Sequence, residues 1–176
     1  KKEILVTVGA SEGIDLSLRV LLNPGEEVLV PEPSYVSYAP GVIFAGGVPV
    51  PVPTSAENGF VLTPEAVQAA VTSRTKAIIL PYPNNPTGAV MRRADLEAVA
   101  QVVERHNLLV LSDEIYSAGR GKEAYIAAAE KLVYLWNKRR NACPHKIFHP
   151  PWRFFCLKFF IIKYIINNEI STRNFL

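Results

Sequence analysis

The sequence predicts an α/β protein, a three-layer α/β/α arrangement around a mainly parallel sheet. Two observations lead there. The runs "KAIILPY" and "LLVLSDE" are apolar along most of their length, as strands covered on both faces are. Stretches with helical spacing of apolar residues fall between such runs, "RRADLEAVAQVVERH" being the most amphipathic. A chain of 176 residues can build one domain with a real core, but not two large ones.

Taken in order, "ILVTVG" (residues 4–9) reads as a strand or buried run, and "EGIDLSLRVLL" as a helix stopped by Asn23-Pro24-Gly25. "EVLVPEP" is the next strand. "SYVSYAPGVIFAGG" reads as a helix disturbed by Pro40 and closed by Gly46-Gly47. "VPVPVP" alternates but is proline-rich, so it belongs at a sheet edge, where a missing N–H leaves no gap in a ladder. Thr63-Pro64-Glu65 is a helix start: a hydroxyl cap, proline at the first helical position and an acid in the first turn. The remaining elements are the strand "KAIILPY", the helix "RRADLEAVAQVVERH" and the strand "LLVLSDE".

Composition narrows the function. The formal net charge is +3, but the basic excess lies in the last third, around Lys138-Arg139-Arg140, so the first two thirds carry no nucleic-acid footprint. Cys143 and Cys156 match no metal or redox spacing and read as free thiols in a reducing compartment, which points to the cytoplasm. The opening Lys1-Lys2-Glu3 leads straight into an apolar run without a signal-peptide pattern, and is expected to lie inside a domain. All ten glycines fall at or before residue 121, whereas residues 145–176 contain no Gly, Ala or Val. The expected division is therefore residues 1–121 as the domain and 122–176 as a foreign tail. The tail's apolar block is interrupted by Lys158 and Lys163, so it is too short for a bilayer span, which takes about 18–20 apolar residues.

Ligands of open parallel sheets bind beyond the carboxyl ends of the strands, and three predicted strand ends carry unusual residues. In "VTVGASEG", Ala10 and Ser11 lead into a helix whose N-terminus favours a phosphate, although a serine there is often only a cap. In "PYPNNPTG", Pro83 and Pro86 restrict the backbone around Asn85, whose amide either reaches a ligand or closes an Asx-turn on its own backbone. In "LVLSDEIY", Asp113 ends a buried strand, either as a cap for the next helix or as a carboxylate in need of partners, with Tyr116 three residues on. Together they match what a phosphorylated pyridine requires. The phosphate takes the helix N-terminus, an amide and a phenol take the ring oxygen, and a carboxylate keeps the ring nitrogen protonated. The protonated ring is then an electron sink.

At these residues the chain resembles the class I/II aminotransferases, the fold type I pyridoxal-phosphate enzymes. "VTVGASEGIDL", "NPGEEVLVPEPSYVSY", "FAGGVPVPVP", "RTKAIILPYPNNPTGAV" and "LLVLSDEIYS" carry the resemblance over residues 4–117. It implies part of the large domain of such an enzyme, with pyridoxal 5'-phosphate as cofactor, an amino acid and a 2-oxo acid as substrates, and a homodimer that completes each site. It also implies roles: Ala10 and Ser11 for the phosphate, Tyr35 stacked on the ring, Asn85 and Tyr116 for the ring oxygen, and Asp113 for the ring nitrogen. A carbon–sulfur lyase or decarboxylase of the same superfamily, or a non-catalytic remnant, are the alternatives.

The family's Ser-Lys and Gly-Trp-Arg motifs, which follow further along its members, do not occur here. Lys146, in "CPHKIFHPPWR", lies near the family's distance from Asp113, but its flanks and spacing do not match, so no catalytic lysine is assigned. Cys143, His145 and His149 are not expected to form a metal site, because Pro144, Pro150 and Pro151 break any helix that would align them. The chain as it stands is therefore expected to hold the cofactor's environment without transaminating.

Overall fold

A computed structural model describes residues 5–116 and the backbone of residues 154–157. Five strands form one sheet: β1 (Glu27–Glu32), β2 (Val48–Pro53), β3 (Thr75–Leu80), β4 (Leu109–Asp113) and β5 (Phe154–Leu157). Their order is β2-β1-β3-β4-β5, and every neighbouring pair is parallel. Four helices accompany them: α1 (Gly9–Leu21), α2 (Tyr38–Phe44), α3 (Pro64–Ala70) and α4 (Arg93–Arg105).

The fully apolar strands are explained by two cores, one on each face of the sheet. Successive strand residues point to opposite faces. Leu29, Ile78, Leu80 and Val110 join Val67 of α3 and Leu96, Val99, Val102 and Val103 of α4. Their neighbours Val28, Val30, Ala77, Ile79, Leu109 and Leu111 join Ile14 and Leu18 of α1 and Tyr38 and Val42 of α2. The α/β/α layering follows directly from this alternation.

Proline placement obeys the ladder. Val48 N donates to Glu26 O and Thr54 N to Glu32 O, so the even positions of β2 face β1. Pro49, Pro51 and Pro53 fall on the alternate positions and leave the open edge without N–H groups, which protects it from further pairing. Pro31 lies in an interior strand, yet the pairing of β1 with β3 ends at Leu29, so no ladder bond is lost there.

Two expectations need correction. Residues 5–8 form no strand: Leu5 and Val8 are 69% and 90% exposed, and Gly9 already begins α1. A strand exists by pairing, and this run has no partner among the described residues. Pro40 does not disturb α2 either. The helix starts only at Tyr38, so Pro40 falls in its first turn, where the missing N–H has no helical acceptor to lose. Thr63 caps α3 as expected, its Oγ1 accepting from Ala66 N at 3.2 Å.

The edge of the sheet away from the strand carboxyl ends is held by charge. Glu27, buried at the start of β1, accepts from Thr72 Oγ1 and from Arg74 Nη2 at 2.6 Å. The bond from Thr72, with help from Arg74 and Thr75 and against the effect of burial, holds its carboxyl below the ordinary glutamate value. A depressed carboxylate contributes stability above its unfolded pKa, and that contribution is lost as pH falls through the folded value. Acidification of the wild type through and below the glutamate range is therefore expected to lower the urea midpoint, and Glu27→Gln should lower it less over the same interval.

Candidate functional site

The switch point of the sheet lies between β1 and β3. From β1 the chain leaves through α2 towards β2, and from β3 through α4 towards β4 on the opposite face. This divergence opens a crevice beyond the carboxyl ends of the strands, and a cleft of about 170 Å³ lies there. Ala10, Ser11, Tyr35, Asn85, Asp113 and Tyr116 all line it, so the structure brings together every cofactor-contact residue named from the sequence.

Each wall comes from a different element. Ala10 and Ser11 sit in the first turn of α1, which begins at Gly9 with a φ of +84°, in the left-handed region that favours glycine. Ser11 is not the cap: no side chain caps α1, although the Glu12 carboxylate accepts from Val8 N. Among the described residues the Ser11 hydroxyl and the Asn85 amide have no hydrogen-bond partner, so Asn85 closes no Asx-turn.

Asn85 is braced by its neighbour. Asn84 is buried; its Nδ2 donates to Pro33 O at 3.1 Å, tying this loop to the one after β1. Its backbone N donates to Ala89 O at 2.9 Å and its carbonyl accepts from Gly88 N at 2.8 Å, which closes a compact turn. Gly88, with a φ of +72°, takes the left-handed position of that turn. Sequence reasoning credited the prolines with holding Asn85 and missed Asn84.

Asp113 is the last residue of β4 and only 8% exposed. One oxygen, Oδ1, accepts from Ile115 N at 3.1 Å; the other, Oδ2, accepts from the Tyr38 hydroxyl at 2.8 Å. Tyr38 also lines the cleft, and its ring meets that of Tyr35 edge to face, centroids 5.6 Å apart. Burial, and then the Asp113 charge, push the Tyr38 phenol far above its ordinary pKa, so it remains a protonated donor. Tyr38 was not singled out from the sequence; the one signal was its spacing of three from Tyr35.

The cleft is one-sided in charge. Among the described residues Asp113 is its single carboxylate, and no Lys, Arg or His lines it. Lys76, the one lysine among residues 5–116, is the second residue of β3, at the far end of the sheet, and pairs with Glu26 at 3.3 Å. Lys146 and the Cys143, His145 and His149 group lie outside the described residues, as does most of the expected tail. Among the described residues no His/Cys/Asp/Glu cluster could hold a metal ion, and no helix is long and apolar enough to cross a membrane.

Comparison with known proteins places these features. A sequence model described as "Aminotransferase class I and II" matches residues 1–141. The chain is 49% identical over 116 residues to an aromatic-amino-acid aminotransferase of Thermococcus litoralis, a match covering 66% of this chain and 30% of that protein. It is 50% identical over 115 residues to an aspartate aminotransferase of Pyrococcus abyssi, covering 65% and 30%. Among solved structures, an aromatic aminotransferase from Pyrococcus horikoshii superposes with a TM-score of 0.62 at 48% identity, covering 62% of this chain and 30% of that one. The matched segment thus spans about 30% of the length of these relatives.

Proposed function

The chain belongs to the family of class I and II aminotransferases, and from that membership we propose that its cleft is the cofactor part of an amino-group-transfer site, built for pyridoxal 5'-phosphate. The observation that carries this reading is the donor set. Among the described residues the cleft has one buried carboxylate, no cation, and a serine hydroxyl and an asparagine amide without hydrogen-bond partners, which suits a ligand that is anionic at one end and cationic at the other.

Each residue then has a task. The α1 N-terminus and Ser11 Oγ hold the phosphate, since the first backbone N–H groups of a helix have no helical acceptor. Tyr35 would cover the ring. The Asn85 amide and Tyr116 hydroxyl would donate to the ring oxygen. Asp113, held at both oxygens, would keep a proton on the ring nitrogen by charge. When bound, pyridoxal 5'-phosphate supplies the electron sink for exchange of an amino group between an amino acid and a 2-oxo acid. In a cytoplasmic homodimer of the family's kind, a second subunit would complete the site.

The reading stops at transfer. Amino-group exchange needs a lysine to carry the cofactor and move a proton. The one described lysine lies at the wrong end of the sheet, and the Ser-Lys motif does not occur in the sequence. On this reading the 176 residues by themselves are expected to hold the cofactor without transaminating. Borohydride reduction in the presence of pyridoxal 5'-phosphate, followed by mass spectrometry, is expected to leave no single stoichiometric lysine adduct. One adduct per chain on Lys146 would contradict this.

A further inference from the structure

We infer that Tyr38 is a positioning residue that orders two walls of the cleft at once, aiming the Asp113 carboxylate with its hydroxyl and bracing the Tyr35 ring with its own ring. The inference rests on the reading of the cleft as a pyridoxal 5'-phosphate site. It goes beyond that reading by giving a role to a side chain that the proposed contact set does not use.

The geometry is specific. Tyr38 is 4% exposed and belongs to the core beneath α1 and α2, so its ring cannot swing away from the sheet. From there its hydroxyl reaches Asp113 Oδ2 at 2.8 Å, across 75 residues of sequence, while the ring edge faces Tyr35. Among the described residues lining the cleft, the ionisable groups beside Asp113 are phenols: Tyr38 from α2, with Tyr35 and Tyr116 nearby. Its partners among the described residues are neutral donors, which leaves its charge for a cationic ligand group. A neutral donor steadies the carboxylate and fixes its direction without cancelling its charge, whereas a lysine or arginine in the same place would compete with the ring nitrogen. Burial and the Asp113 charge raise the phenol's pKa, which keeps it a donor to the carboxylate.

Tyr38→Phe removes the hydroxyl and keeps the ring against Tyr35, which isolates the carboxylate half of the role. The probes are pyridoxal 5'-phosphate and its analogue with C–H in place of the ring nitrogen, titrated into the full chain. Wild type is expected to prefer the natural compound. Tyr38→Phe should weaken the natural compound about tenfold, the range of a hydrogen bond to a charged group, and change the analogue by less than about twofold. Equal weakening of both compounds, or of neither, would overturn the role of Tyr38 while leaving the site reading intact. Wild type that binds neither compound would overturn the site reading and the inference with it. A measurement on wild type guards against a Tyr38 variant that fails to fold. The Tyr38 hydroxyl proton should exchange slowly with solvent and lose that protection in Asp113→Ala; fast exchange in wild type would overturn the inference.

Discussion

Asp113→Ala is expected to weaken pyridoxal 5'-phosphate binding by about a hundredfold, or about 3 kcal/mol. Truncating one partner of a buried, hydrogen-bonded charge pair costs about 2–5 kcal/mol, and among the described residues no other carboxylate lines the cleft to take its place. The fold suffers too, because the Tyr38 hydroxyl is left buried without its acceptor, at about 1–3 kcal/mol. Asp113→Asn separates the two effects. Its amide oxygen can still accept from Ile115 N while its NH2 donates to the Tyr38 hydroxyl oxygen, so the urea midpoint should fall less than in Asp113→Ala, while the charge that favours a protonated ring nitrogen is gone. Binding titrations and urea denaturation of the two variants side by side measure both quantities.

Ile78→Ala is expected to destabilise the chain by about 2–5 kcal/mol, the cost of a large cavity in a packed core. Ile78 is fully buried in the middle strand of the sheet, and the register sets it beside Leu29 on β1 and Val110 on β4. All three belong to the core under α3 and α4, so the lost side chain leaves a hole that rigid strands on both sides cannot close. A loss of this size is a large fraction of the 5–15 kcal/mol that holds a typical domain together. Ile78→Val removes one methylene and should cost about 0.5–1.5 kcal/mol. Urea denaturation followed by circular dichroism reads the difference.

Much of this architecture was legible because its residues have no other good place to go. Runs such as "AIIL" and "LVL" are apolar on both faces of a pleated strand, and only a sheet covered on both sides buries them. The prolines of "VPVPVP" are compatible only with an edge. Asn85, Asp113 and Tyr116 were legible as neighbours at one end of the sheet because polar side chains directly after a buried strand have chemistry in excess of a turn, and all three line the cleft.

What escaped the sequence was long-range or dependent on pairing. The bond from Tyr38 to Asp113 joins residues from α2 and β4, and a buried tyrosine in a short helix looks like ordinary core until the contact is seen. Asn84 reads as the twin of Asn85, and only the fold shows that one amide braces the loop while the other faces the cleft. Residues 5–8 have strand-like composition, but composition does not supply a neighbouring strand.

The central claim is that this cleft holds pyridoxal 5'-phosphate, and equilibrium dialysis of the cofactor against the full chain tests it most directly. The account predicts one saturable, reversible molecule per wild-type chain and about hundredfold weaker binding to Asp113→Ala. Absence of saturable binding to the wild type, or equal affinity for the two proteins, would contradict it.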